Sequence, residues 1–381
     1  MRLAVYTDYV YRRDDSAVYG ERAFVVFLGT MAASLEKLTL VGRLSPDPGR
    51  SHYRLADDVG FVGLPFYASL RSPVQALLAL GRSLRIFWRA LDDVDAVWLL
   101  GPYIHSVAFA LLAAARGRRV VLGVRQDMPA YVRARNPDKR WMHAAGDALE
   151  WAWRRMARRW PVVVVGPHLA DNYSAARRRL EILVSLVRDE DLTDPELALA
   201  RTYDGELRAV SVGRLDTEKN PLLLADVLAQ ARERDPRWRM LIVGEGPLAG
   251  ALQERLAELG VAEHAELAGY LPIDGGLREA YRSGHALVHV SWTEGMPQVL
   301  LEAFAAGLPV VATAVGGVEA AADGAALLVA PGDAAPVASA LERVGSDEAL
   351  RERLVRAGAA RVRDHTLEAE AARVVRFIES S

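Results

Sequence analysis

Two carboxylates, Glu294 and Glu302, stand seven residues apart within Trp292-Thr293-Glu294-Gly295-Met296-Pro297-Gln298-Val299-Leu300-Leu301-Glu302, followed by Ala303-Phe304-Ala305-Ala306-Gly307-Leu308-Pro309. The mostly apolar run Ala286–Ser291 just upstream reads as a strand suited to the middle of a parallel sheet. Gly295 lets backbone approach a ligand closely, and Pro297 suits the first turn of a helix, where a missing N–H costs nothing. Gly307 stops that helix, Pro309 follows, and Val310-Val311-Ala312-Thr313 begins the next strand. The unpaired N–H groups of residues 296 to 299 then point out of the carboxyl edge of a sheet, a natural seat for phosphate. Both glutamates can reach a ligand anchored there, which suits a sugar nucleotide. Either glutamate alone is equally at home as a solvated helix residue.

A second charged segment lies upstream. Ser211-Val212-Gly213-Arg214-Leu215-Asp216-Thr217-Glu218-Lys219-Asn220-Pro221 follows a strand at Leu207–Val210 and runs into the apolar helix from Leu222. Gly213 ends the strand, and Arg214 and Lys219 fall in the loop at the same sheet edge. A diphosphate needs cationic partners, and a fixed charge at about 4 Å contributes roughly 4 kcal/mol at an effective dielectric near 20. Arginine supplies a fork and lysine a movable point charge. Either one in isolation would be an ordinary surface cation.

Together these stretches resemble the retaining family 4 glycosyltransferases of GT-B architecture. The resemblance continues through Leu241-Ile242-Val243-Gly244-Glu245-Gly246-Pro247, Leu267-Ala268-Gly269-Tyr270-Leu271, Val315-Gly316-Gly317-Val318-Glu319 and Leu328-Val329-Ala330-Pro331-Gly332-Asp333. Its motifs cover about residues 205 to 365, and the N-terminal half follows only the general plan. The resemblance implies an α/β fold of two Rossmann-like domains facing a central cleft, with a helix from about residue 365 crossing back to the first domain. It assigns Arg214 and Lys219 to the diphosphate, Glu294 to the donor sugar and reacting centre, and Glu302 to the ribose hydroxyls. Gly213, Gly295, Met296, Pro297, Gln298 and Tyr270 join them on the donor side. No cofactor and no metal are expected. Gly316-Gly317-Val318-Glu319 is one residue shorter than the family's Gly-Gly-x-Pro-Glu pattern, which leaves the role of Glu319 open.

Composition agrees with this reading. A chain of 381 residues has room for two domains, here expected at 1–190 and 205–364, with the charged, proline-broken segment 188–195 near the linker. A formal net charge of −2 gives no electrostatic reason to expect nucleic acid. With no cysteine, disulfides, thiolate metal sites and a cysteine nucleophile are excluded. The start, Met1 to Asp8, reaches charge too soon for a signal peptide, and no apolar run approaches the roughly 20 residues of a membrane span. A cytoplasmic protein is the expectation.

In the N-terminal half, short apolar runs at Leu3–Tyr6, Leu38–Val41, Ala96–Leu100, Val120–Val124 and Val162–Val165 alternate with helical stretches such as Val74–Leu91 and Ser106–Ala115. That rhythm predicts a parallel sheet with helices on both faces. The acceptor side is less legible. Where family members carry a Gly-Gly loop after the first strand, Tyr9 to Gly20 holds one glycine. Where many carry a histidine after the strand at Val120–Val124, this chain has Arg125-Gln126-Asp127. These three are candidate acceptor contacts, with Asp127 equally suited to capping the next segment. His105, also at a strand end, is a fourth candidate, or a buried polar residue with a partner. The stretch Arg133 to Trp160 carries Trp141, Trp151, Trp153 and Trp160 with Arg154, Arg155, Arg158 and Arg159. Such a segment can meet the inner face of an anionic membrane peripherally, or be an amphipathic helix with inward tryptophans.

The leading functional reading is transfer of a sugar from a nucleoside diphosphate to a glycan, lipid-linked or small-molecule hydroxyl, with retention. The alternatives are a sugar-nucleotide epimerase or hydrolase on the same plan, and a descendant that only binds sugar nucleotides.

Overall fold

The structure, a computed structural model, describes residues 1–67, 73–183 and 185–381. The chain divides into two compact units, one of Met1–Ile182 with Leu367–Ser381 and the other of Leu183–Thr366.

The first unit holds β1 (Arg2–Asp14), β2 (Ala17–Gly20), α1 (Phe24–Ala32), β3 (Lys37–Leu44), β4 (Tyr53–Arg54), β5 (Val59–Leu64), α2 (Pro73–Ala90), β6 (Ala96–Gly101), α3 (Ile104–Ala115), β7 (Arg119–Val124), α4 (Met128–Arg135), α5 (Arg140–Ala157), β8 (Val162–Val165), α6 (Pro167–Asn172) and β9 (Arg179–Ile182). Strands β5, β3, β1, β6, β7, β8 and β9 lie side by side and parallel. Their near-continuous apolar sequences are what a sheet covered on both faces requires. One cluster of side chains on one face includes Leu3, Val5, Trp98 and Val163, and another on the opposite face includes Ala4, Tyr6, Leu99 and Phe109.

The segment after the first strand departs from expectation. Residues 9 to 14 continue β1 rather than opening a loop, and they pair antiparallel with β2, Tyr11 opposite Gly20 and Asp14 opposite Ala17. Tyr11 is buried there, its ring packed where a Cβ on Gly42 would fall within 2.4 Å of it. A bulky alternating sequence therefore makes a β-ribbon where a glycine-rich loop was sought.

The second unit holds α7 (Pro195–Leu199), β10 (Leu207–Val212), α8 (Leu223–Arg234), β11 (Trp238–Val243), α9 (Ala249–Glu258), β12 (Ala265–Gly269), α10 (Arg278–Arg282), β13 (Ala286–His289), α11 (Gln298–Ala305), β14 (Val310–Thr313), α12 (Val318–Ala322), β15 (Ala326–Val329), α13 (Ala334–Ser346) and α14 (Glu348–Arg363). Its six strands are all parallel, in the order β12-β11-β10-β13-β14-β15. The order reverses direction between β10 and β13, which is where open α/β sheets bind ligands.

The charged segment 188–195 belongs wholly to this second unit, after the division at Ile182 and Leu183. Thr193 donates its N–H to Ala305 O at 2.7 Å, and Arg278 pairs with Asp191 at 3.0 Å, so the segment is tied down. The last helix, α15 (Leu367–Glu379), returns to the first unit. There Leu367, Ala371, Val374 and Ile378 join the core beside α1.

Candidate active site

The carboxyl ends of β10 and β13 bring Lys219 and Glu294 together. After β10, Asp216 caps a single 3₁₀ turn, Thr217–Lys219, by accepting the Lys219 N–H at 3.3 Å, and Asn220 closes it in the left-handed region. That fixes the base of the lysine side chain. The neighbouring loop presses directly on this one. A Cβ on Gly244, at φ +140°, would lie 1.9 Å from Gly213 O, and one on Gly246 would lie 2.3 Å from Leu215 O. Only glycine permits that approach.

Glu294 is held through one oxygen. Its Oε1 accepts the Lys219 ammonium and the Ser291 hydroxyl at 2.7 Å, and His289 Nε2 stands 2.9 Å away. A carboxylate at that distance selects the tautomer with the proton on Nε2. Its Oε2 accepts no hydrogen bond from the described residues. Burial opposes the charge of Glu294, but the bonds from His289, Lys219 and Ser291 outweigh it and lower the carboxyl to about 2. His289 and Ser291 are themselves buried, and Thr313 Oγ1 donates to Ser291 O at 2.8 Å. The backbone of Glu294 lies under the Gly-Gly pair. A Cβ on Gly316, at φ +53°, would fall 1.9 Å from Glu294 O, and one on Gly317 would fall 2.0 Å from Gly295 O. Glu319 is exposed in the first turn of α12.

The start of α11 follows. Pro297 occupies the position before the first helical residue, one earlier than its sequence suggested, and Gln298 begins the helix. The first N–H groups of a helix have no partner within it. A Cβ at Gly295 or at Gly213 would meet no protein atom within 4 Å, so internal packing explains neither glycine.

Glu302 lies one turn into α11 and has its own partner. Tyr281 of α10 donates its hydroxyl to Glu302 Oε2 at 2.6 Å. Glu302 keeps some solvent contact, but protein surrounds most of it, and that desolvation raises its carboxyl above the ordinary range against the opposing bond from Tyr281. A cavity of about 40 Å³ adjoins it, lined by Val187, Ile273, Leu277, Tyr281, Glu302 and Ala305 among others.

Arg214 is exposed and engages Asp216 at 2.5 Å and Glu218 at 3.3 Å, so it shares the loop with Lys219 without touching Glu294. Tyr270 follows β12 and is 66% exposed. In the first unit, Arg125 lies over the rings of Tyr9 and Phe24, and its guanidinium donates to Tyr9 Oη at 3.3 Å. Gln126 lines the same wide pocket as Arg125. Asp127 caps α4 by accepting the Ala130 N–H at 2.9 Å. His105 is buried against Tyr67 and Phe109, its Nδ1 3.5 Å from Tyr67 Oη, and burial lowers its basicity. It lines none of the pockets around Arg125. Of the tryptophans, Trp153 is fully buried, whereas Trp141 and Trp151 are 52% and 69% exposed on α5, so the inward packing holds for Trp153 alone of these three.

Sequence reading missed His289, Ser291 and Tyr281. The first two were available as the polar residues of an otherwise apolar run, His289 at the end of the strand and Ser291 two residues on. Among the described residues, no group of three or more histidine, aspartate or glutamate side chains is arranged to hold a metal ion, and no helix is long and apolar enough to cross a membrane.

The model of the family of glycosyl transferases group 1 matches residues 200–361. This chain carries a glycosyl transferases group 1 domain. The domain contains Lys219, Glu294, Glu302 and every other donor-side candidate, and none of the four acceptor-side ones. The chain is similar to the D-inositol 3-phosphate glycosyltransferases of Frankia alni, 36% identical over 204 residues (49% of each chain), and of Nocardia farcinica, 35% identical over 240 residues (56% of this chain and 52% of that one). It spans about half the length of the curated relatives it matches. Its fold is of the GT-B type. It superposes along its whole length on all of the Anabaena HepE structure in complex with UDP, with a TM-score of 0.70 at 14% identity. Against 98% of the sucrose-phosphate synthase of Thermosynechococcus elongatus, again along its whole length, the TM-score is 0.68 at 18% identity.

Proposed function

We propose that this chain is a glycosyltransferase that moves a sugar from a nucleoside diphosphate to an acceptor hydroxyl with retention of anomeric configuration. The observation that carries the proposal is the half-satisfied carboxylate of Glu294. Three donors fix its Oε1 while Oε2 accepts none from the described residues, which leaves a rigid acceptor for sugar hydroxyls beside a lysine and a helix N-terminus. The crystallised HepE complexes with UDP and with UDP-glucose support a donor of this class.

In this reading the diphosphate sits between the α11 N-terminus and the cations Lys219 and Arg214, close to Gly213 and Gly295. Met296, Pro297 and Gln298 give it their backbone. Glu302, oriented by Tyr281, accepts the ribose hydroxyls, and Tyr270 stands near the nucleotide. Because Glu294 is committed to Lys219, His289 and Ser291, it orients the sugar and does not attack it. The bond from the anomeric carbon to the phosphate oxygen breaks, and the bond to the acceptor oxygen forms on the same face. The acceptor's proton passes to the departing phosphate oxygen. Lys219, Arg214 and the helix N-terminus neutralise the charge that develops there, so this scheme requires no divalent metal.

Proton NMR of the first product, formed from an α-linked nucleotide sugar with EDTA present, tests the scheme. An α-anomeric coupling is expected. A β-linked product, or activity that EDTA abolishes and magnesium restores, would contradict it.

A further inference from the structure

The wide pocket of the first unit, about 1000 Å³, takes its walls from the β1–β2 ribbon, the ends of β3 and β7, and helix α4. Among the described residues, five arginines line it. Arg43 is neutralised, at 3.5 Å from the carboxylate of Asp8. The other four, Arg12, Arg22, Arg125 and Arg135, have no carboxylate partner among the described residues.

Neighbouring arginines outside the pocket behave differently. Arg133, two residues before Arg135 on α4, is paired with Asp147 at 2.7 Å, and Arg50 near the ribbon is paired with Asp14 at 2.6 Å. Three of those four pocket arginines instead lie over aromatic rings. Arg22 and Arg125 are 6.0 and 5.8 Å from the Tyr9 centroid, Arg125 is 4.7 Å from that of Phe24, and Arg135 is 5.1 Å from that of Tyr131. Stacking of this kind restrains a guanidinium without consuming its N–H fork, of which, among the described residues, only one N–H of Arg125 is engaged, by Tyr9 Oη at 3.3 Å. The wall also carries Glu21 and Asp47, neither of them in an ion pair among the described residues, and over its eight described charged side chains positive charge exceeds negative by two. Unpaired, pre-oriented guanidinium forks recognise carboxylate and phosphate bidentately, and the volume is ample for a small molecule.

We infer that this pocket takes a glycosyl acceptor bearing a phosphate or carboxylate group, bound by Arg12, Arg22, Arg125 and Arg135. The inference rests on the transferase reading and names the class of its second substrate.

The test uses the full chain saturated with whichever of UDP, GDP and ADP binds most tightly, so that the donor-side cations are occupied. Glucose, glucuronate and glucose 6-phosphate are then titrated in separately, the last two separating a carboxylate from a phosphate source. At least one charged probe should bind ten-fold or more tightly than glucose. That advantage should collapse in the Arg22→Gln/Arg135→Gln variant, whose substituted side chains are exposed, with the fold checked by circular dichroism. Equal binding of charged and neutral probes, including binding by none, would overturn the inference. So would a charged-probe advantage that survives both in that variant and in Arg12→Gln/Arg125→Gln. If no nucleotide binds, the transferase reading fails on its own, and the same titrations without nucleotide still decide whether the pocket selects anions.

Discussion

Lys219 and Glu294, 75 residues apart in sequence, form a salt bridge across the carboxyl ends of adjacent parallel strands, and the pair is more enclosed on the carboxylate side than on the lysine side. The cation assigned to the leaving phosphate and the carboxylate assigned to the sugar are therefore coupled. Each sets the position of the other before any substrate arrives.

That coupling is measurable. Lys219→Ala and Glu294→Gln should each lower unfolding stability, and their double-mutant cycle should show an interaction of about 1–3 kcal/mol in urea denaturation. An interaction near zero would mean that the two side chains act independently.

Stability should respond to acid through Glu294. Its folded carboxyl titrates at about 2 against an ordinary 4.5, so its contribution is fully present above the ordinary value and is lost as pH falls through the folded one. The stability gap between wild type and Glu294→Gln should therefore narrow steadily between pH 5 and pH 2. A gap that is constant over that range would show that the carboxylate gains nothing from its three donors.

Much of this candidate site is legible in the sequence, for identifiable reasons. Strands β10 and β13 are short buried runs with glycine-marked ends, and Lys219, Glu294 and Glu302 sit at fixed offsets from them. His289 and Ser291 were hidden because a strand read as apolar drew attention to its valines rather than to its polar positions. Tyr281 was hidden because its link to Glu302 crosses 21 residues between two helices, a relationship no local period encodes. The arginine-lined pocket was less legible still. Its charges come from separate segments, and no local pattern encodes that Arg50 and Arg133 find carboxylates while Arg12 and Arg135 have none among the described residues.

Tyr281→Phe should act through Glu302 alone. Removing the hydroxyl deletes the bond that opposes desolvation, so the Glu302 carboxyl should rise further and the acid limb of nucleotide binding should move to higher pH. Loss of that bond should also weaken ribonucleotide binding at neutral pH by about ten-fold, while the 2′,3′-dideoxy analogue changes little. Isothermal titration across pH checks both. Equal losses for the two nucleotides, with no shift of the acid limb, would make Tyr281 a packing residue only.

The central claim is that the edge of the second unit's sheet holds the diphosphate of the donor. It is tested most directly by titrating UDP, GDP and ADP into wild type and into the Arg214→Ala/Lys219→Ala variant. At 100 times its dissociation constant, the cognate nucleotide should stabilise wild type by about 2.7 kcal/mol. The double variant should keep its fold and lose at least 100-fold in affinity, since two charge-assisted contacts of about 1.5–3 kcal/mol each are removed. Wild-type affinity in that variant would contradict the account.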